Sequence, residues 1–216
     1  MSEFKEVVID ADFFIKMTCV DRTGQLFLDF MNCIKRVPVM DEFVYNTEIR
    51  GEAKNTAEKL KDLGKIRIYF HQDYLSEAER DDYIDDFCFL YKAMTGQDFD
   101  IELLDVFTYF KKDENLGEIR SILMARKKNI EYYFSDDYGV KRLVKTVFSK
   151  NRSISVYNVF DMMKLAKKEG CNIEWDRIEQ TARLAFCQNK SKFEYIEKQY
   201  KEYTIGNTRD KSIGIV

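Results

Sequence analysis

The residues of this sequence that could do chemistry are carboxylates at the places where predicted strands end. Asp10 and Asp12 follow an apolar, β-branched run, and Asp136 and Asp137 follow an aromatic one. Because the carboxyl ends of parallel strands share one edge of a sheet, we expect the two acid pairs to lie close together. A simpler interpretation stays open, since Asp is a favoured N-cap residue and a predicted helix follows each pair.

Two further acids, Glu48 and Glu118, complete the candidate set. Glu48 lies one turn beyond Val44 on the inner face of a predicted helix over 41–48, and Glu118 lies in the first turn of a predicted helix over 116–125. The simpler alternatives are a surface glutamate at 48 and a carboxylate stabilised by the helix dipole at 118. Clustered carboxylates without histidine or thiolate favour hard cations such as Mg²⁺ or Mn²⁺, which suit phosphodiester hydrolysis.

The rest of the composition offers little other chemistry. A single histidine, His71, argues against histidine-rich metal sites and Ser–His or Cys–His catalysis. Five cysteines without a C-x-x-C pair predict free thiols in a reducing compartment, not a zinc site or a disulfide framework. The formal charge of -3 argues against binding nucleic acid through bulk positive charge, although 35 Lys and Arg residues leave room for basic patches.

The apolar periodicity predicts a three-layer α/β/α fold with a central, mostly parallel sheet. We expect a core domain over 1–170 and a C-terminal helical extension over 171–216. Strands are predicted at 7–9, 65–70, 130–134 and 153–157, and helices at 13–19, 26–34, 41–48, 53–63, 116–125, 138–147, 158–168, 175–186 and 193–203. The sequence has neither a signal-peptide pattern nor a transmembrane run, which predicts a soluble, cytoplasmic protein.

Residues 71–115 are predicted to form a two-helix insertion whose second helix spans 101–110. Two acid pairs on its first helix, at 81–82 and 85–86, could bind a metal, but their spacing opposite an apolar face favours a solvated surface. An aromatic stripe on that helix, Tyr83, Phe87 and Tyr91, belongs either to the core or to a partner-binding surface. We expect the insertion to act in substrate access or assembly.

In order and spacing these motifs resemble those of the PIN-domain nucleases. The matching segments are VVIDADFF at 7–14, the helical Glu48, LGEIRSILMA at 116–125 and YYFSDDYGVKRL at 132–143, followed by the closing element SISVYNVFDMMKLAKKEG at 153–170. The resemblance implies a PIN-like, metal-dependent endoribonuclease that uses Mg²⁺ or Mn²⁺. It implies that the catalytic and metal-binding acids are Asp10, Glu48, Glu118 and Asp136, with Asp137 and Asp12 as further metal ligands.

The same resemblance implies a single-stranded or structured RNA substrate, no membrane, and either a homodimer or a protein partner such as the antitoxin of a toxin–antitoxin pair. Asp12 departs from the family pattern, which more often has a small polar residue there, and its extra charge bears on metal stoichiometry. Four basic residues could contact flanking phosphates, although each fits a surface charge better: Arg50, Arg120, Lys141 and Arg142.

Two other function classes remain open. One is a catalytically silent module of the same fold that acts on a partner protein through its insertion or tail. The other is a phosphatase with an aspartyl nucleophile, suggested by Asp10-Ala11-Asp12, for which the sequence offers no convincing lysine and Ser/Thr motif.

Overall fold

The computed structural model describes residues 4–110, 115–147 and 154–171, which form a parallel sheet between two helical layers. These residues belong to the first of two units into which the chain divides, Met1–Ile173. The second unit, Glu174–Val216, lies outside the described residues, and so do the helices predicted at 175–186 and 193–203. The predicted three-layer α/β/α fold is confirmed for the described part.

All five strands of the described sheet run parallel, in the order β3-β2-β1-β4-β5. They are β1 (Lys5–Ile9), β2 (Arg36–Asp41), β3 (Arg67–Tyr69), β4 (Tyr132–Phe134) and β5 (Ser155–Tyr157). The apolar end of β1 is fully buried, as expected for a central parallel strand that is covered on both faces. Because the strand order reverses between β1 and β4, the carboxyl ends of these two strands border a crevice where ligands bind in such sheets.

Seven α-helices flank this sheet in the described residues. They are α1 (Ala11–Val20), α2 (Gln25–Cys33), α3 (Gly51–Asp62), α4 (Arg80–Thr95), α5 (Leu116–Lys127), α6 (Tyr138–Val147) and α7 (Val159–Lys168), with a π-helical turn at Val44–Glu48 between β2 and α3. Within the described ranges, no helix has both the length and the apolarity needed to cross a bilayer.

Alternation along β4 shows how the layers are arranged. Tyr133 packs in one apolar cluster with residues of α4, α5 and α6, whereas the ring of the next residue, Phe134, lies 5.4 Å from that of Phe13 in α1. Successive strand residues point to opposite faces, so α1 and α5 cover opposite faces of the sheet. Side chains from both helical layers can therefore reach the edge of the sheet at the carboxyl ends of its strands.

The described residues of the insertion between β3 and α5 contain one α-helix, α4, and the prediction of a helix at 101–110 is wrong. That segment is a series of turns, in which the Asp100 side chain accepts backbone N–H groups of Glu102 and Leu103 and the Asp105 side chain accepts that of Phe107. Aspartate bonds of this kind compete with helical hydrogen bonds and favour turns.

The aromatic stripe on α4 lies in the core, with Tyr83, Phe87 and Tyr91 all buried. On its other side Asp81, Asp82 and Asp85 are exposed. The solvated-face interpretation of these acids is therefore confirmed for three of the four, and Asp86 is partly buried and pairs with Arg126 at 2.7 Å.

A disulfide joins Cys33, at the end of α2, to Cys171, just after α7. The prediction of free thiols is therefore wrong for this pair, because the fold brings their Cα atoms within 5.7 Å although 138 positions separate them in the sequence. The prediction is confirmed for Cys19 and Cys88, and Cys187 lies outside the described residues.

Candidate active site

Asp10 is placed by the central strand. Its backbone N–H continues the β1–β4 pairing by donating to the carbonyl of Phe134 at 3.0 Å, and its own carbonyl accepts the N–H of Phe14 in α1. The helix-capping interpretation does not account for its side chain, which makes no capping hydrogen bond to α1. Instead, the buried carboxylate accepts a hydrogen bond from the Ser135 hydroxyl at 2.7 Å.

Three predicted acids come together around this carboxylate. The pKa of Asp10 lies well above its ordinary value, first because the group is buried and then because the charges of Glu118 and Glu48 lie close by. Glu48 reaches the same place from the π-helical turn, where its carboxylate fills the space beside Gly117 that a side chain would occupy. We call Asp10, Glu48 and Glu118 the acid trio.

Unpaired polar atoms lie around the acid trio. In the described part of the chain, the buried Glu118 Oε2, Ser121 Oγ and Tyr133 hydroxyl have no hydrogen-bond partner. Burial raises the pKa of Tyr133 and so do the nearby Asp10 and Glu118, which places its hydroxyl beside the trio. The hydroxyls of Tyr133 and Ser121 are neighbours without hydrogen-bond geometry. Each unsatisfied buried group costs about 1–3 kcal/mol, so the site favours a further polar partner.

Asp136 is held by other groups at the same edge. Its side chain is fully buried, with Oδ1 accepting the N–H of Val159 at 2.9 Å and Oδ2 lying 3.1 Å from the ammonium of Lys16. The same ammonium lies 2.6 Å from Asp12. Burial acts to lower the pKa of Lys16, but Asp136 and Asp12 outweigh it and raise that pKa, so the ammonium is charged. We call this arrangement the Lys16 bridge.

Asp137, predicted as a further ligand, lies between the two sets. Its backbone N–H donates to Ser135 Oγ at 3.1 Å, and its carboxylate accepts the N–H of Gly139 in the first turn of α6 at 2.6 Å. The charge of Asp137 also acts on Glu118. The pKa of Glu118 is raised mainly by burial, and the negative charges of Asp137 and Asp12 raise it further. All six predicted acids thus lie at one edge of the sheet, divided between the acid trio, the Lys16 bridge and Asp137.

The donor atoms themselves do not converge. Among the described residues, no group of three histidine, cysteine, aspartate or glutamate side chains is arranged to hold a metal ion. By donor chemistry the acid trio suits a hard cation, because it supplies carboxylate oxygens only and one of them, Glu118 Oε2, is unpaired.

Sequence reasoning missed three side chains that shape this edge. Lys16 stands four residues after Asp12 on one helix, a spacing that favours an ion pair and could have revealed it. Ser135 directly precedes Asp136 at the end of β4, but its bond to Asp10 depends on strand pairing. Tyr133 was predicted only as a strand residue, and nothing in the sequence indicates that its hydroxyl is unpaired.

A second buried polar cluster lies at the end of the neighbouring strand β2. Asp41 accepts the N–H of Phe43 at 2.9 Å and the Tyr74 hydroxyl at 3.3 Å, and burial raises its pKa to about 6 against the opposing charge of Arg120. Beside it, Glu42 accepts both the Nδ1 and the backbone N–H of His71. These bonds attach the end of β2 to the loop after β3.

Arg120 is not available for a phosphate, contrary to its place among the candidate basic contacts. It is buried, and its guanidinium donates to the carbonyls of Val106 and Tyr109. Arg50 is exposed, and Lys141 lies 3.4 Å from Asp161. Comparison of the chain with family models, with curated proteins and with solved structures finds no significant match.

Proposed function

We propose that this chain is a metal-dependent endoribonuclease of PIN type, in which the acid trio of Asp10, Glu48 and Glu118 binds Mg²⁺ or Mn²⁺. One observation carries the proposal. Glu118 Oε2 is buried without a hydrogen-bond partner, and it belongs to a carboxylate whose charge helps to raise the pKa of Asp10. These groups lie at the reversal point of the strand order, where a ligand has access to the sheet.

The residues of the chain have separable roles in this proposal. Ser135 orients the carboxylate of Asp10 through its 2.7 Å hydrogen bond, and Gly117 leaves the space that Glu48 occupies. The cation, when bound, lowers the pKa of a water molecule and offsets charge on the phosphate. The oxygen-only donor set supports a phosphodiester substrate, because hard cations suit phosphodiester hydrolysis, and the choice of RNA rests on the motif resemblance.

The test is cleavage of a labelled single-stranded RNA oligonucleotide with Mg²⁺ or Mn²⁺ as the only divalent ion. Asp10→Asn keeps the size of the side chain but removes its charge, so it should abolish cleavage and leave the circular dichroism spectrum unchanged. Asp82→Asn, the same change at an exposed position of α4, is the matched control and should cleave normally. Undiminished cleavage by Asp10→Asn, or by the unchanged protein in excess chelator, would reject the proposal.

The Lys16 bridge favours one alternative, a silent module of the same fold. An ammonium that pairs with both Asp136 and Asp12 stabilises this edge without any metal. A silent module would bind no Mn²⁺ and cleave no RNA, and Asp10→Asn would raise its melting temperature by removing a repelling charge. Mn²⁺ binding that depends on Asp10 would exclude this alternative.

A further inference from the structure

Phe110, in the insertion before α5, is a large aromatic residue with an exposed ring in a fixed seat. It is 42% exposed, whereas Phe43, against which it packs, is 1% exposed. The two rings are stacked, with their centres 5.8 Å apart and their planes inclined by 19°. Phe43 therefore covers one face of the Phe110 ring, and the exposed surface of the ring lies on the other side.

Arg120 holds this ring and its backbone in place. Its guanidinium carbon lies 5.1 Å from the centre of each of the two rings, and because these distances are equal the cation is not on the outer face of Phe110. The same guanidinium donates to the carbonyl of Tyr109, the residue before Phe110, at 3.0 Å and to that of Val106 at 2.8 Å. The ring is thus a preorganised surface, which loses little freedom when something packs on it.

The stacked pair lies close to the acid trio. Phe43 directly precedes the π-helical turn that carries Glu48, and its carbonyl accepts the hydroxyl of Thr47 in that turn. On α5, Arg120 follows Gly117 by three residues, about 4.5 Å along the axis, and Gly117 is the residue against which the Glu48 carboxylate packs. A single strand with a phosphate at the trio therefore has a neighbouring nucleotide within reach of the exposed ring.

The chemistry of this surface favours an unpaired nucleic-acid base as its occupant. Bases stack on exposed aromatic rings in proteins that bind single strands, and every base has a flat face that fits. In the sequence Phe110 is followed by Lys111 and Lys112, which lie outside the described residues, and positive charge of this kind suits the phosphates on either side of a stacked base. A partner that docks by apolar contact alone gains nothing from these charges.

We infer that the outer face of Phe110 is a stacking platform for one unpaired base of the RNA substrate, next to the acid trio. The inference rests on the RNA substrate of the proposed function and deepens it, because it specifies single-stranded RNA as the bound form. In a duplex the bases are paired and stacked on each other and cannot reach the ring. Phe110 is then a substrate-binding residue that acts without any metal ion.

The test is binding of a fluorescently labelled oligoadenylate in excess chelator, where no metal-dependent cleavage competes. Phe110→Leu keeps an apolar side chain over Phe43 but has no aromatic face, so its affinity should fall about tenfold. Phe110→Trp should bind at least as tightly as the unchanged protein. The matched control is Phe89→Leu, the same change at a 59% exposed position of α4, which should bind normally. An abasic oligonucleotide of the same length should bind the unchanged protein and Phe110→Leu equally.

A second measurement uses the unchanged protein and so does not depend on the folding of any variant. Ultraviolet cross-linking of an oligouridylate, mapped by mass spectrometry, should attach a base to the peptide that contains Phe110. Cross-links confined to other peptides would overturn the inference. So would equal affinity of Phe110→Leu and the unchanged protein, and if sedimentation then showed a dimer that Phe110→Leu loses, the ring would belong to an interface with a second copy.

These outcomes separate the inference from the proposed function. Cleavage that depends on Asp10 together with RNA affinity that ignores Phe110→Leu would leave the nuclease standing and remove the platform. RNA affinity that depends on Phe110 without metal-dependent cleavage would keep the platform and reject the nuclease. Absence of RNA binding by the unchanged protein would overturn both.

Discussion

Asp10 and Asp41 have equivalent positions on neighbouring strands, yet their carboxyl groups have different surroundings. Val8 pairs with Val39, so the two aspartates, each two residues further on, stand at the same level of the sheet. Asp10 faces two glutamates, whereas Asp41 has the cation Arg120 and the hydroxyl of Tyr74 as neighbours. Asp10 and Asp41 thus share residue type and strand position. Only their neighbouring side chains distinguish Asp10, a candidate metal ligand, from Asp41, a structural acid.

The buried carboxyl of Asp41 should make stability depend on pH. Its pKa is about 6 in the folded protein and near 3.8 without the fold, so between these values the folded state holds a proton that the unfolded state has released. Its contribution to stability is therefore fully present below the unfolded pKa and is lost as pH rises through the folded pKa of about 6, by up to about 3 kcal/mol in total. Asp41→Asn does not titrate and should lose this dependence.

The measurement is urea unfolding of the unchanged protein and of Asp41→Asn at pH 4 and pH 7. The difference in unfolding free energy between them should move in favour of Asp41→Asn as pH rises. The charged and titratable groups around Asp41 are Arg120, Glu42, Tyr74 and Tyr83. Asp29→Asn, an exposed acid on α2, is the control and should follow the unchanged protein. An identical pH dependence in Asp41→Asn would contradict the assignment.

At the scale of elements, local signals were enough to predict most helices. The helix predicted at 138–147 coincides with α6, and glycines with positive φ follow α3 and α7 at Gly64 and Gly170, as helix-ending residues do. The failure at 101–110 has a local cause as well, since Asp100 and Asp105 close turns with their side chains. Apolar spacing alone does not reveal that competition.

The site was only partly predictable for a different reason. The strand-end rule located Asp10 and Asp136. It also applies to Asp41, the last residue of β2, and to Glu42 after it, but the apolar spacing over 41–48 predicts a helix there. Whether Asp136 meets Glu118 or Lys16 depends on how α1, α5 and α7 pack on the sheet. That packing is a feature of the tertiary structure, so the spacing of residues along the sequence does not predict it.

The contact between α5 and the π-helical turn gives a prediction for Gly117. Alanine is favoured over glycine in helices by about 0.5–1 kcal/mol, so Gly117→Ala should not destabilise α5 itself. Its new methyl group would overlap the Glu48 carboxylate, the mobile end of a long side chain, which should rotate away. The melting temperature in chelator should therefore stay the same or rise, while Mn²⁺ affinity falls by about tenfold.

Gly139→Ala provides the comparison, because Gly139 lies in the first turn of α6 and its added methyl group would lie 3.2 Å from Asp137 Oδ1, a tight contact that a shift of a few tenths of an ångström relieves. This variant should gain helix stability and keep its Mn²⁺ affinity. Unchanged affinity in Gly117→Ala would remove Glu48 from the proposed ligand set, and a large loss of stability would show that Glu48 cannot move aside.

For the whole described unit, the disulfide is the one covalent contact between distant parts of the described chain. It connects the helix that leads into β2 with the segment that follows α7, the last described helix. Strands β2 to β5 lie between the two cysteines in the sequence, and β1 pairs with β2 and β4. The bond therefore restricts the unfolded chain across almost the whole of the described sequence.

Removal of this bond should lower the stability of the unit substantially. In the chain-entropy model a loop of 138 residues corresponds to about 5 kcal/mol, and measured values for native disulfides fall at about 2–5 kcal/mol. For a chain of this size each kcal/mol shifts the melting temperature by about 2–4 °C. Cys33→Ser should therefore melt at a clearly lower temperature than the unchanged protein, and a reductant should lower the melting temperature of the unchanged protein but not that of Cys33→Ser. Cys19→Ser, at an exposed free thiol, should melt normally and keep its sensitivity to the reductant.

Non-reducing peptide mapping should recover the linked Cys33 and Cys171 peptides. If the reductant leaves the melting temperature of the unchanged protein in place, the two thiols are not joined in solution, and the prediction of free cysteines would hold after all.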